Sequence, residues 1–161
     1  LFLDWYLPKY VKREKHRILN VKFNKIFKKL IKNIYYKNKV FVHRDFHISN
    51  IMITKKGLGL IDSQDAVYGN IAYDLASLID DVRFKTDTRI KNFILNEFIK
   101  KNKHLDLKKF QNDFDILSVL RNLKIIGIFT RLSVRDKKNK YLKKTKLLQY
   151  KINQTKEKRI Y

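Results

Sequence analysis

The segment between Lys39 and Asp62 constrains the fold of this chain more strongly than any other part of its sequence. It contains two short apolar runs, residues 51–54 and 58–61, which are separated by Lys55, Lys56 and Gly57. The glycine supplies the positive φ that a tight turn requires, so the two runs predict a β-hairpin. The residues just before the first strand and just after the second must then lie at the same open end.

The polar residues around this open end follow the pattern H-x-D-x-x-x-x-N, with a second Asp after the hairpin. His43, Asp45 and Asn50 form the pattern, and Asp62 follows the second strand. Phosphoryl transfer uses such a set, because one carboxylate faces the attacking hydroxyl while an amide and a second carboxylate hold Mg²⁺ on the nucleotide phosphates. We predict Asp45 as the catalytic base, and Asn50 and Asp62 as metal ligands that bind the nucleotide. The alternatives are a loop cap, a turn residue and a strand-end cap, respectively.

Neighbouring polar residues have less sharply defined roles. His47 is predicted to face the substrate or a nucleotide phosphate, and His43 to brace the loop as a packed, hydrogen-bonded histidine or to assist catalysis. Arg44 is predicted to form a structural ion pair with a carboxylate, with a phosphate contact as the alternative. Asp65 is either a further metal contact or a loop cap. Asp74 is predicted to be structural, tying the start of its helix to the loop.

A rival interpretation treats the same residues as a metal centre. His43, Asp45 and His47 alternate along the chain and would share a face of an extended segment, as a metal-dependent hydrolase requires. The other two histidines, His16 and His104, lie in Lys-rich helical stretches without ligand-like neighbours. This weakens the hydrolase alternative.

Most of the remaining chain is predicted to be helical. One Pro and four Gly in 161 residues favour long helices and few tight turns. Apolar residues at intervals of three and four predict the helices directly, and residues 39–42 form a short β-type run. The predicted helices are 1–10 with an interruption near Pro8, 18–36, one beginning at Tyr73, 87–102, 106–134 and 138–157, and residues 63–70 are predicted to be a loop. The predicted fold class is therefore α+β and mostly helical.

Composition narrows the class of protein. The net charge of +23 raises the alternative of a basic nucleic-acid-binding module, but Lys is spread along the whole chain, as in solvated helix faces. The absence of Cys excludes disulfides. Without an apolar run of about 20 residues or a signal peptide pattern, we expect no membrane partner and a cytoplasmic location. Because the chain starts without Met, we expect a C-terminal piece of a longer protein.

The motif residues resemble a known family. His43 to Asn50 with Asp62 is similar to the C-terminal lobe of aminoglycoside phosphotransferase-like and choline-kinase-like small-molecule kinases. A longer match resembles bacterial kinases that phosphorylate N-acetylmuramate and N-acetylglucosamine at the anomeric hydroxyl in cell-wall recycling. That match is carried by residues 61–66, 69, 73–78, 121–124, 127–132, 135–136 and 141–142.

This resemblance implies that residues 1–161 form the C-terminal lobe of a protein-kinase-like fold. The implied reaction uses ATP and Mg²⁺ and transfers the γ-phosphate to a hydroxyl of an amino sugar. The implied partner is an N-terminal lobe that covers the nucleotide, so we expect the chain alone to be nearly inactive. A non-catalytic kinase-like lobe is the alternative.

Two residues depart from the usual pattern of the family that the chain resembles. Ser63 replaces a usual aromatic beside Asp62, and Asn70 replaces a common Pro, a change expected to matter little.

Asn122 and Arg131 are predicted either to line the acceptor pocket or to be helix-packing residues with outward-facing charges.

Overall fold

The computed structural model describes residues 1–37, 39–81, 86–138 and 141. The helices are α1 (Leu7–Tyr10), α2 (His16–Lys32), α3 (Tyr73–Ile79), α4 (Thr88–Lys101) and α5 (Leu107–Val134), and the strands are β1 (Val40–Val42), β2 (Ile51–Thr54), β3 (Gly57–Leu60) and β4 (Val67–Gly69). The architecture is thus α+β and mostly helical, as predicted. In the described part of the chain, no helix combines the length and apolar character needed to cross a membrane.

The chain divides into two compact units. The first comprises Leu1–Lys29 and Leu120–Tyr161, and the second comprises Leu30–Val119. In the first unit, the ring of Phe2 packs edge-on against Phe23 with centroids 5.2 Å apart. Gly127 lets the backbone of the first residues approach α5, since a Cβ there would lie 2.5 Å from the Leu1 carbonyl carbon.

The second unit has its own apolar core. Its buried residues recur on α3 at positions 75, 76 and 79, and on α5 at positions 110, 114 and 117, which is the spacing of one helix face. Complete burial of a Phe such as Phe110 stabilises a fold by about 1.5–3 kcal/mol. The core cluster consists of Ala72, Leu75, Ala76, Ile79, Leu105, Phe110, Phe114 and Leu117.

Two antiparallel strand pairs lie in the second unit. The predicted hairpin forms between β2 and β3, with Ile51 opposite Leu60, so β3 begins and ends one residue earlier than predicted. The second pair joins β1 to β4, with Val40 opposite Gly69. The prediction of a loop over residues 63–70 was wrong, because residues 67–69 form β4. A strand of three residues is too short to be recognised from its own sequence, and this one forms by pairing with β1.

Helix ends also differ from the prediction. α2 begins at His16 and ends at Lys32 rather than spanning 18–36. The backbone N–H groups of Tyr35 and Tyr36 donate to Asp113 instead of continuing the helix. Pro8 does not interrupt a helix but occupies the first turn of α1, where its missing N–H costs little. The predicted helix over 138–157 falls outside the described residues except at Lys138 and Tyr141.

Carboxylate caps at Asp87 and Asp106 explain why α4 and α5 begin where they do. The side chain of Asp87 accepts a hydrogen bond from the backbone N–H of Arg89, which otherwise has no partner within the helix. Asp106 accepts from the backbone N–H groups of Lys108 and Lys109 at 3.0 and 3.1 Å. The bond from Lys109 is the main reason why the pKa of the Asp106 carboxyl lies below its ordinary value.

The hairpin turn supplies the first testable prediction. Gly57 has φ +117°, a backbone angle that residues with a side chain rarely adopt. Gly57→Ala should therefore lower the free energy of unfolding by about 1–3 kcal/mol, as measured by urea denaturation. Gly59→Ala is the matched control, since Gly59 does not have a positive φ and its Cβ would meet the Thr54 side chain at 3.3 Å and Met52 at ordinary contact distances of 3.9 and 4.0 Å. A Gly57→Ala variant as stable as the wild type would contradict the need for positive φ.

Candidate active site

A buried carboxylate anchors the chain where β1 begins. Asp113 on α5 accepts hydrogen bonds from the backbone N–H groups of Tyr35 and Tyr36, both at 2.8 Å. It also accepts from the side-chain amide of Asn70, at 2.8 Å, and Asn70 directly follows β4. One carboxylate therefore holds both the segment entering β1 and the segment leaving β4.

A second carboxylate anchors the chain where β1 ends. Asp74, in the first turn of α3, accepts from the backbone N–H of His43 at 2.6 Å and from that of Arg44 at 3.1 Å. Arg44 has φ +69°, an uncommon conformation for a residue with a long side chain, in a loop held by these two bonds. Asp74 thus joins the start of its helix to the loop, in the manner predicted, one residue before Asp45.

The loop leaves the side chain of Asp45 partly exposed to solvent and buries the side chain of His47. The side chain of Asp45 is 50% exposed and that of His47 only 4%, and Asp45 Oδ2 lies 3.3 Å from His47 Nε2. Asn50 is buried, and its side-chain amide donates to the backbone carbonyl of Asp45 at 2.9 Å. This bond uses the nitrogen of the Asn50 amide and leaves its Oδ1 as the oxygen available to a ligand.

The hairpin register brings Asn50 and Asp62 to the same end. The pairing of Ile51 with Leu60 extends by one further bond, in which the Ile61 N–H donates to the Asn50 carbonyl at 3.1 Å. Asn50 and Asp62 therefore flank the open end of the hairpin, and Asn50 is also tied to Asp45. The structure thus gathers the three residues of the predicted phosphotransfer set, although their chemical roles remain predictions.

The turn that follows Asp62 has its own internal bonds. Asp62 has φ +68°, and its Oδ1 accepts from the side-chain amide of Gln64 at 2.5 Å. The Ala66 N–H donates to the Ser63 carbonyl at 3.0 Å, which closes the turn. Ser63 itself is exposed, so the structure shows no buried contact at the position where the resemblance led us to expect an aromatic.

Arg44 links this turn to the loop that carries Asp45. Its guanidinium donates to the backbone carbonyl of Asp65 at 3.2 Å. The acceptor of this bond is a neutral main-chain oxygen, and the predicted ion pair with a carboxylate remains a prediction. The side chain of Asp65 is exposed, and its part in metal binding remains a prediction.

His43 links the loop that carries Asp45 to the end of the hairpin before Asp62. Its ring is buried, and Nε2 donates to the backbone carbonyl of Ile61 at 3.0 Å, one residue before Asp62. The ring also packs edge-on against Phe46, with centroids 6.3 Å apart. The structure therefore gives His43 the bracing contacts predicted from the sequence.

Asn122 and Arg131 lie on the part of α5 that belongs to the first unit. Within the described residues, Asn122 Oδ1 and Arg131 Nε are buried without a hydrogen-bond partner. Both atoms retain unused hydrogen-bonding capacity, but the predicted contact with an acceptor remains a prediction.

The donor atoms at the open end suit a hard cation. Asn50 and Asp62 offer amide and carboxylate oxygens, and Mg²⁺ binds one or two such protein ligands together with phosphate oxygens and water. Over the described ranges, no three His, Cys, Asp or Glu side chains group around a possible metal position. The rival hydrolase centre of His43, Asp45 and His47 is accordingly not formed.

Sequence reasoning missed two residues that position the site. Asp113 lies in an apolar helix, and nothing in its local pattern distinguishes it from a solvated carboxylate. Asn70 was expected to matter little, but its side chain donates to the Tyr36 carbonyl at 2.7 Å and accepts from the Ala72 N–H at 2.9 Å. A Pro at position 70 could make neither side-chain bond, so Asn70 has a structural role that its sequence pattern did not indicate.

The comparisons with known proteins agree with this geometry. Residues 1–99 match the model of the phosphotransferase enzyme family (APH). The chain belongs to this family, which implies a kinase-like fold.

Relatives with known names extend the comparison. An N-acetylmuramate/N-acetylglucosamine kinase of Neisseria meningitidis is 34% identical over 151 residues, and one of Pseudomonas aeruginosa is 32% identical over 148 residues. Each alignment covers 88% of this chain but 44% of the relative, so the chain spans less than half the length of the proteins it matches. A kinase of the same name from Caulobacter vibrioides is 33% identical over 107 residues. These matches confirm the resemblance stated from the motifs.

Proposed function

We propose that this chain is the C-terminal, catalytic lobe of a phosphotransferase that moves the γ-phosphate of ATP to a hydroxyl of an amino sugar. The observation that carries the proposal is the convergence of Asp45, Asn50 and Asp62 at one end of the β2–β3 hairpin. Family membership supports the reaction class. The names of the relatives support N-acetylmuramate or N-acetylglucosamine as the acceptor.

Each residue of the set has a distinct task in this proposal. The Asp45 carboxylate orients the acceptor hydroxyl and takes its proton, and its half-exposed position keeps it accessible to that hydroxyl. His47 Nε2 lies 3.3 Å from Oδ2 of Asp45, and this contact would hold the carboxylate in position. This contact favours a positioning role for His47 over the contact with substrate or phosphate predicted from the sequence.

Asn50 Oδ1 and the Asp62 carboxylate would hold Mg²⁺. When bound, this ion neutralises charge on the nucleotide phosphates during transfer. The protein contributes alignment, because Asp74, Asp113 and the hairpin register fix the backbone that carries all three side chains.

The test is Mg²⁺-dependent ATP consumption with N-acetylmuramate, N-acetylglucosamine, an aminoglycoside and choline as acceptors. Because the chain spans 44% of its relatives, it is assayed both as the 161-residue chain and joined to its upstream coding sequence, where one exists. We expect turnover with an amino sugar in the joined form and little in the chain alone. A folded protein that turns over no acceptor in either form would favour the non-catalytic lobe.

A further inference from the structure

We infer that Gln64 is a positioning residue that presents the Asp62 carboxylate to a divalent cation. The inference rests on the proposed metal-binding role of Asp62 and adds a residue that neither the motif nor the family resemblance assigned. Its basis is the 2.5 Å hydrogen bond from Gln64 Nε2 to Asp62 Oδ1.

The geometry of the turn explains how this bond acts. Asp62 follows the end of β3 with φ +68°, so the strand ladder does not fix its side chain. Gln64 grips one carboxylate oxygen and leaves Oδ2 with its lone pairs for another partner. Two further hydrogen bonds hold the backbone of this turn. The Ala66 N–H donates to the Ser63 carbonyl, and the Arg44 guanidinium donates to the Asp65 carbonyl. The carboxylate is therefore oriented before a cation arrives.

The chemistry of the donor matters as much as its position. A neutral amide orients the carboxylate without cancelling its charge, whereas an ammonium or guanidinium group at the same place would compete with the cation. The chain carries 38 Lys and Arg residues against 15 Asp and Glu, so a basic residue would be unremarkable at an exposed turn. The cation-binding carboxylate receives an amide instead.

The experiment uses the ¹⁵N-labelled 161-residue chain and Mn²⁺ as the probe. Paramagnetic broadening of the Asn50 and Asp62 backbone amide signals is followed during a Mn²⁺ titration. Gln64→Leu keeps the volume of the side chain but removes the donor, and we expect its apparent Mn²⁺ affinity to fall about tenfold, as when an outer partner of a metal ligand is lost. Gln64→Lys should lose at least as much, because its ammonium pairs with Asp62.

Gln111 provides a matched control elsewhere in the same unit. Its side-chain amide donates to Asp115 Oδ1 at 3.0 Å on the exposed face of α5, which reproduces the same chemical pair away from the site. Gln111→Leu should leave the Mn²⁺ affinity unchanged. The amide spectrum of each variant reports whether its fold is retained, and so separates a positioning effect from loss of structure.

Two results would overturn the inference while leaving the proposed function in place. If Gln64→Leu binds Mn²⁺ as the wild type does, the hydrogen bond is a bystander, and if it binds more tightly, Gln64 competes with the cation. In both cases Asp62→Asn should still abolish the broadening, which preserves the metal site. If the wild-type signals of Asn50 and Asp62 are not broadened, the proposed metal site and the inference fail together.

Discussion

Replacing Asp45 with Asn is expected to lower kcat for sugar phosphorylation by about 10²–10⁴, the range that a positioned general base contributes. Asn keeps the size of the side chain and one oxygen but cannot take the proton of the acceptor hydroxyl. The KM for ATP should change little, because the proposed nucleotide and metal contacts belong to Asn50 and Asp62. Steady-state kinetics in whichever form of the protein turns over ATP provide the measurement.

Asp115→Asn is the control for this substitution. Asp115 lies on α5 and accepts a hydrogen bond from Gln111, which an Asn oxygen can also accept, so turnover should be unchanged. If Asp45→Asn reduced kcat less than threefold, Asp45 would lose its assigned role. The reaction would then rely on alignment and metal binding without this base.

Replacing Asp113 with Ala is expected to lower the free energy of unfolding by about 3–5 kcal/mol, because each buried donor left without a partner costs about 1–3 kcal/mol. Four donors lose this acceptor: the backbone N–H groups of Tyr35 and Tyr36, and the side-chain amides of Asn70 and Asn112. The two amides keep their bonds to the carbonyls of Tyr36 and Asn33, so the two backbone groups carry most of the loss. Urea denaturation followed by far-UV circular dichroism measures the change.

Two further substitutions keep this prediction testable if the Ala variant does not fold. Asp113→Asn retains one acceptor oxygen and should lose roughly half as much stability. Asp115→Ala, two residues along the same helix, removes a more exposed carboxylate and should change the free energy of unfolding by less than about 1 kcal/mol. Equal effects at the two positions would contradict the role given to the buried network.

The sequence predicted the parts of the fold that depend on neighbouring residues. The hairpin follows from two apolar runs and Gly57, and the start of α3 at Tyr73 was predicted with Asp74 as the acidic residue of its first turn. Predictions failed where a distant residue decides the outcome. The helix α2 does not extend to residue 36 because Asp113 takes the N–H groups of Tyr35 and Tyr36, and β4 exists because β1 lies beside it. Local patterns carry no information about such partners.

The same distinction between local patterns and distant partners applies to the candidate site. The motif predicted Asp45, Asn50 and Asp62 because their spacing is a local property, and hairpin pairing then places two of them together. It did not predict the contacts that orient these side chains. The bond from Arg44 to a main-chain carbonyl and the grip of Gln64 on Asp62 depend on turn geometry, which residue types alone do not determine.

The Asp113 network also has a consequence for the order of folding. The β2–β3 hairpin closes a short loop, and such hairpins form in about 1–10 μs. The bond between Tyr35 and Asp113 joins residues 78 positions apart, so its entropic cost is met only when most of the second unit has collapsed. We expect the edge bearing Asn50 and Asp62 to be assembled early, and the strand leading to Asp45 to be locked late. A nascent chain released before Asp113 emerges would therefore hold the edge bearing Asn50 and Asp62 without a fixed Asp45 beside it.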